Sequence, residues 1–367
     1  MTKLNDPITF KRGVTLKNRI VMAPMTTKMS FYDGVVTTDE LNYYGLRSGE
    51  VGAVITAAAN VQDDGKGWEG ELAVSDDKHI PGLTKLANTI QQNGTKAILQ
   101  LFHAGRMTDS SVLRGTQPIS ASAVAAERPN AETPREITEA EILALIENFK
   151  AATKRAIQAS FDGVELHGAN TYIIQQFFSP HSNRRNDAWG GTLEKRYHFI
   201  DVLVDEVLSV VEEEQAENFI VGYRFSPEEF EKPGISIEDT LFLVDQLAQK
   251  ELDYLHISLS DYKRKSIDEN HQEHTMLEMV YQAIDHRIPL IGVGEVHSKA
   301  DAQTVLASAD LVAIGRAILI DPHWPSKVLN DQEDLIKQTI SSYDQQDLYL
   351  QNGVMEFLNI MMPDRLI

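Results

Sequence analysis

Short apolar runs rich in β-branched residues recur along the chain, separated by longer stretches with helical periodicity. Eight of them read as strands: Arg19–Met22, Gly52–Thr56, Lys96–Leu101, Gly163–Leu166, Phe219–Arg224, Tyr254–Ile257, Pro289–Val293 and Leu311–Ile314. Most are continuously apolar, as strands covered on both faces of a parallel sheet are. Thr138-Glu139-Ala140-Glu141 is a capping box, in which a hydroxyl and a carboxylate satisfy first-turn N–H groups. It opens a helix with Ile142, Leu145, Ile146 and Phe149 at helical spacing. Thr37…Glu40 and Ser298…Asp301 read as further capped starts. Other helical stretches are Leu83–Gln92, Leu193–Glu213, Ile237–Gln249 and Met276–His286.

Strands alternating with helices in this number predict an α/β fold, a single (β/α)8 TIM barrel. Ile8–Phe10 and Val14–Leu16 flank Lys11-Arg12-Gly13, a hairpin expected to cap the barrel bottom. The expectation is one domain over 1–367: hairpin cap at 1–18, barrel at 19–330, C-terminal helix and tail at 331–367. The connection His103–Ile137 is long enough for a functional loop such as a lid. A Rossmann sheet is the weaker alternative, since no Gly-x-Gly-x-x-Gly follows the first strand.

Composition narrows the function classes. The chain is 42% hydrophobic and 24% charged, with net charge −20. That charge argues against nucleic acid and against anionic membrane surfaces. No cysteine is present, which removes disulfides, thiolate metal sites and cysteine-ligated iron–sulfur clusters. No metal site is expected. MTKLNDPITFKRG lacks an apolar core of signal-peptide length, and no run suits a membrane span, so a cytoplasmic protein is expected.

In such a barrel the chemistry sits at the C-terminal ends of the strands. Strand 4 ends in His167, Asn170 and Tyr172: two groups able to donate to one oxyanion, and a phenol able to give a proton. With a hydride source opposite, that set suits reduction of an alkene conjugated to a carbonyl or nitro group. Ala57–Ala59 let backbone approach a flat ligand. Gln100 offers donor and acceptor to the amide edge of a ring. Arg224 can balance negative charge on a reduced ring. Gly292-Val293-Gly294 and Gly315-Arg316 fall where such barrels bind phosphate. Each has an ordinary reading too: a polar loop, a satisfied core amide, an ion-pair partner, a plain turn. Their coincidence at successive strand ends favours the chemical one.

These residues resemble the Old Yellow Enzyme family of FMN-dependent ene-reductases from Asn18-Arg19-Ile20 to Asp321-Pro322. The motifs are Ala23-Pro24-Met25-Thr26, Gln100-Leu101-Phe102-His103-Ala104-Gly105-Arg106, His167-Gly168-Ala169-Asn170-Thr171-Tyr172, Arg185-Asn186-Asp187-Ala188-Trp189-Gly190-Gly191 and Gly315-Arg316. The resemblance implies non-covalent FMN, with NAD(P)H as hydride-donating cosubstrate. It implies that Ala23, Pro24, Met25 and Thr26 line the flavin, and that Ala58 and Gln100 contact its pyrimidine side. It places Arg224 at the electron-rich edge and Gly292, Gly294, Gly315 and Arg316 at the phosphate. His167 and Asn170 then grip the substrate oxygen, His167 also touching the cofactor, and Tyr172 is the proton donor. The Arg185–Gly191 stretch with Arg196 is implied to be scaffold. Three positions depart from the common pattern: Thr171 where glycine is usual, Trp189 where tyrosine is common, and Thr26 where one branch has cysteine.

The implied reaction passes hydride from NAD(P)H to flavin N5, and then to the β-carbon of an enone, enal or nitroalkene, with Tyr172 protonating the α-carbon. Rival readings are a flavin barrel oxidising a hydroxy acid or dihydroorotate, a flavin-carrying binding protein without turnover, and a phosphate-binding isomerase. The lack of cysteine excludes the iron–sulfur relative that reduces dienoyl thioesters. The physiological alkene and the choice of NADH or NADPH stay open. The tail Met361–Ile367 could reach a neighbouring copy in a homo-oligomer.

Overall fold

A computed structural model of the chain describes residues 3–341 and 343–367; Met1, Thr2 and Ser342, which fall within the expected 1–367 domain, lie outside the described residues. Eight strands of the central sheet form the barrel: β1 (Ile20–Met22), β2 (Ala53–Asn60), β3 (Lys96–Phe102), β4 (Gly163–Gly168), β5 (Ile220–Phe225), β6 (Tyr254–Ile257), β7 (Leu290–Val293) and β8 (Leu311–Ile314), with Leu72–Ala73 as a short ninth strand paired to the end of β2. Each barrel strand pairs in parallel with its neighbours in the β1–β8 order, and β8 pairs with β1, which closes the barrel. Closure explains the continuous apolar runs, since every strand has a face on the barrel interior and a face under the helices.

Between the strands run the helices the periodicity marks. Thr138 and Glu141 make the reciprocal capping box at the start of Glu139–Gln158. Ser298 and Asp301 do the same for Lys299–Val305. Thr37 also caps its helix, but Glu40 does not reach back: its carboxylate accepts from Ser30 Oγ at 2.8 Å.

The hairpin pairs Ile8 with Leu16 and Thr9 with Thr15. Phe10, Val14 and Leu16 join Val21, Ala53, Ile55, Ile98, Ile220, Ile291 and Leu311 in one apolar cluster, so the hairpin plugs the barrel. Arg12 ties it down through a 2.8 Å ion pair to buried Asp253.

Strand β2 runs on to Asn60, past the expected end at Thr56. A register shift between Ile55 and Ala58 interrupts its ladder with β3, and the Ala57 N–H donates instead to Tyr44 Oη at 2.6 Å. A bulge of this kind re-aims a strand end beside a site. The 103–137 connection holds a short parallel pair, Ile119–Ser120 with Arg135–Glu136. Arg185 pins it by donating to the Ala121 and Ile137 carbonyls, which fits the scaffold role expected of the Arg185–Gly191 stretch. The tail folds back on its own chain: Ile340 N–H donates to Arg365 and Ile367 N–H to Ile340. Among the described residues no helix is long and apolar enough to cross a membrane.

Candidate active site

Inward-facing residues alternate along each strand. One inward step above the apolar plug, the barrel interior turns polar. Glu165 of β4 is fully buried and accepts from Gln100 Nε2 at 2.7 Å and Tyr254 Oη at 3.1 Å, with His256 Nδ1 at 2.9 Å. Gly222 makes room for this network, because a Cβ there would sit 2.1 Å from the Tyr254 ring. Burial pushes the Glu165 carboxyl up, but His256, Arg224 and Gln100 outweigh it and hold it below the usual carboxylate range. Burial also lowers His256, against the pull of Glu165. An ionised carboxylate only accepts, so the His256 proton that faces Glu165 sits on Nδ1.

Above that network, Arg224 pairs in register with His167 on one side and His256 on the other. Burial drives His167 well below its ordinary value, helped by Arg224 and His256, so it is a neutral ring. Shielded and without a partner among the described residues are Nδ1 of His167, Nε of Arg224 and Nε2 of His256. Buried polar atoms rarely stay unpaired. Their convergence at one strand-end layer marks a place where a polar ligand completes the bonding.

The segment after β4 carries the other two groups. Asn170 and Thr171 both adopt left-handed backbone, φ 57° and 67°. Asn170 N–H donates to Ser226 Oγ at 2.8 Å. Arg224 donates to Ser258 Oγ at 3.1 Å, and Ser258 donates onward to Asn170 Oδ1 at 2.9 Å. That chain fixes the Asn170 carbonyl as the acceptor and leaves its NH2 as the free donor. Tyr172 packs edge-on against Phe102 and His167, with ring centroids at 4.4 Å and 5.0 Å. Trp68 closes the same wall at 6.4 Å from Tyr172. Burial, then the nearby Glu71 carboxyl, pushes the Tyr172 phenol up to about 12.

Beside Arg224 lies a cavity of about 160 Å3 lined by Ala23, Pro24, Met25, Gly294, Gly315 and Arg316, with Glu295 and His297. At Gly294, φ is 116° and a Cβ would sit 2.7 Å from the Asp261 nitrogen, so glycine is required. A Cβ at Gly315 would make only ordinary contacts, with Met25 Sδ at 3.5 Å and Ala23 Cβ at 3.8 Å, both in the cavity lining. The donor set fits FMN: a guanidinium beside glycine backbone for a phosphate, small apolar residues for a flat ring, and unpaired nitrogens for its polar edge. One feature works against an anion: the Glu295 carboxylate pairs with Arg316.

Of the other residues expected to line the flavin, Ala58 lies with Phe102 and Ala104 under Trp68 and Tyr172. Gln100 stands below, its amide nitrogen committed to Glu165. Thr26 continues the Ala23–Met25 run outside the cavity lining. Gly292 faces outward, where a Cβ would meet Val305 at 2.6 Å, so strand–helix packing accounts for it.

Sequence reasoning missed Glu165, His256, Ser226, Ser258, Trp68 and Glu295. Glu165 left a signal, a charge inside an otherwise apolar strand and one inward step before His167. The others depend on pairings between distant loops.

The family model described as NADH:flavin oxidoreductase / NADH oxidase family matches residues 3–334. The NADH:acrylate oxidoreductase of Vibrio harveyi is 46% identical over 99% of this chain, which spans only 36% of that relative's length. The probable NADH-dependent flavin oxidoreductase YqiG of Bacillus subtilis (strain 168) is 45% identical, covering 95% of this chain and 93% of that one. Among solved structures, morphinone reductase in complex with tetrahydroNAD superposes with TM-score 0.77 and 27% identity, covering 90% of this chain and 92% of that one. With the barrel and the strand-end motifs in place, these matches settle the family: the chain belongs to the NADH:flavin oxidoreductase / NADH oxidase family, the Old Yellow Enzyme group, whose cofactor is FMN and whose cosubstrate is NAD(P)H.

Proposed function

We propose that the chain reduces the C=C bond of α,β-unsaturated carbonyl or nitro compounds with NAD(P)H and FMN. The observation that carries this reading is the β4 rim, where a neutral His167, the free amide of Asn170 and the Tyr172 phenol stand together. FMN, when bound, supplies the hydride transfer from NAD(P)H to the alkene. Ala23, Pro24, Met25, Thr26, Ala58, Gln100 and Arg224 are assigned to its ring, and Gly294, Gly315 and Arg316 to its phosphate.

His167 and Asn170 donate to the carbonyl or nitro oxygen and stabilise the negative charge that grows there. A neutral His167 suits this role, because it donates a hydrogen bond without surrendering its proton. Ser258 holds Asn170 in place, and Arg224 holds Ser258. Tyr172 stays protonated throughout the neutral range and gives its proton to the α-carbon. Phe102, Trp68 and His167 wall its ring and limit water access.

The test is anaerobic stopped-flow on the FMN-loaded protein, with NAD(P)H in one half-reaction and 2-cyclohexenone or a nitroalkene in the other. Tyr172→Phe is expected to slow alkene reduction roughly 100-fold or more while flavin reduction keeps its rate. Equal slowing of both halves, or no alkene reduction by the unaltered protein, would remove the proposal.

A further inference from the structure

A second cavity, of about 380 Å3, opens beside Asn170 and is lined by Ser226, Phe230, Ser258, Ser260 and Arg264. The Arg264 guanidinium lies over the Phe230 ring, 4.8 Å from its centroid. Phe230 remains 72% exposed even so, an expensive placement for a phenyl ring. One terminal nitrogen of Arg264 is shielded and has no hydrogen-bond partner among the described residues. Glu228, the carboxylate in the same wall, is engaged elsewhere, accepting from Ser266 Oγ and from Ile267 N–H.

Charge sharpens the picture. A chain of net charge −20 repels a dinucleotide unless cations gather where it lands. Here they gather: Arg224 donates to Ser258 Oγ, Arg316 donates to the Ser260 carbonyl at 3.4 Å, and Arg264 stands in the same wall. Arg316 belongs to the phosphate cavity, and Leu259 lines both cavities, so the two adjoin. Arg264 is the cation of this group left for a second anion. A flat exposed ring next to it suits a purine.

We propose that this cavity holds the ADP-ribosyl tail of the nicotinamide cosubstrate, with the diphosphate on Arg264 and the hydroxyls of Ser226 and Ser260 and the adenine against Phe230. The inference rests on the oxidoreductase reading above. It explains how a chain without a Rossmann glycine motif can grip a dinucleotide: the tail is held at the rim of the barrel mouth, and the ring reaches inward past Asn170.

The test compares the FMN-loaded wild type with Arg264→Gln and Phe230→Ala. Each protein is titrated calorimetrically with ADP-ribose, and each is reduced anaerobically by NADH, by NADPH and by 1-benzyl-1,4-dihydronicotinamide, which carries the ring and no tail. Arg264→Gln is expected to weaken ADP-ribose and NADH about tenfold or more, the loss of a charge-assisted contact. Phe230→Ala is expected to weaken both about threefold to tenfold. The tail-less donor should saturate all three proteins alike. Unchanged ADP-ribose affinity in Arg264→Gln overturns the inference, and so does equal weakening of the tail-less donor. Loss of affinity for an unsaturated carboxylate with ADP-ribose unaffected also overturns it, and assigns the cavity to substrate. A wild type that none of the three donors reduces removes the oxidoreductase reading, whereas Arg264-dependent ADP-ribose binding in that protein would still support the subsite.

Discussion

The lower and upper halves of the barrel interior are built on the same eight strands, one inward step apart, and they solve opposite problems. Below, Val21, Ile55, Ile98, Ile220, Ile291 and Leu311 are sealed by Phe10, Val14 and Leu16 into a wholly apolar plug. Above, first Gln100 and Glu165 and then, one step higher, His167, Arg224 and His256 fill the interior with polar groups. The plug stabilises through buried area and close packing. The upper layer carries unpaired buried nitrogens on His167, Arg224 and His256, each a cost of about 1–3 kcal/mol when nothing completes it. A fold tolerates such costs where a ligand later removes them. The lower half thus secures the barrel, and the upper half holds donors ready at that barrel's expense.

Truncating the plug should produce the largest effect on stability. Ile220→Ala leaves a cavity under β5, and a loss of about 2–5 kcal/mol is expected in urea unfolding, with FMN affinity unchanged in calorimetry. A loss of FMN affinity in step with stability would show that the two halves are not separable. A smaller change is expected above. Glu165→Gln keeps the shape but faces an amide toward three donors, and should cost about 1–3 kcal/mol at pH 7. Its pH dependence has a definite sign. The Glu165 carboxyl is held below its ordinary value, so it binds fewer protons folded than unfolded. Its stabilisation is present above the unfolded value of about 4.3 and is lost as pH falls through the folded value. Unfolding midpoints measured from pH 7 down to pH 3 should therefore fall less steeply for Glu165→Gln than for the wild type. A parallel acid limb would mean that Glu165 is protonated in the fold, and the upper layer would need a different charge balance.

The same contrast explains what could be read from the sequence. Local periodicity locates strands and helices well where packing alone sets them. Tyr254–Ile257, Leu311–Ile314 and the helix Leu193–Glu213 fall where the pattern puts them. It stops short at the site. The end of β2 was hidden because Ala57–Ala59 have little β preference, and the Tyr44 hydroxyl that takes up the Ala57 N–H lies on a helix. His167, Asn170 and Tyr172 were legible because a polar cluster closes an apolar run. Their supports were not: Ser258 reaches Asn170, and His256 reaches Glu165, from strands far along the chain. No periodicity encodes which strand ends meet. Gly292 is ambiguous for a related reason, since a glycine serving packing and a glycine serving phosphate look identical in sequence.

Thr171 offers the finest test, because there local strain and site geometry meet in one residue. A β-branched side chain at φ 67° costs roughly 1 kcal/mol or more. The chain offsets this locally: Thr171 N–H donates to Gln175 Oε1 at 3.0 Å, its hydroxyl donates to the Asn170 carbonyl at 2.6 Å, and Gln176 Nε2 donates to its carbonyl at 2.6 Å. Two of those three bonds use backbone and survive Thr171→Gly. Relief of strain then competes with the lost hydroxyl bond and with the greater freedom of glycine in the unfolded chain, about 0.5–1 kcal/mol. The expected balance is a gain of no more than about 1 kcal/mol in unfolding free energy. If the hydroxyl serves only to offset strain, alkene reduction should keep its rate. If it also holds the turn that aims Tyr172, the same variant should slow alkene reduction and leave flavin reduction by NAD(P)H untouched. A destabilised variant would instead show that the threonine is held more favourably than its backbone angle implies, and that the upper layer stores less strain than its geometry suggests.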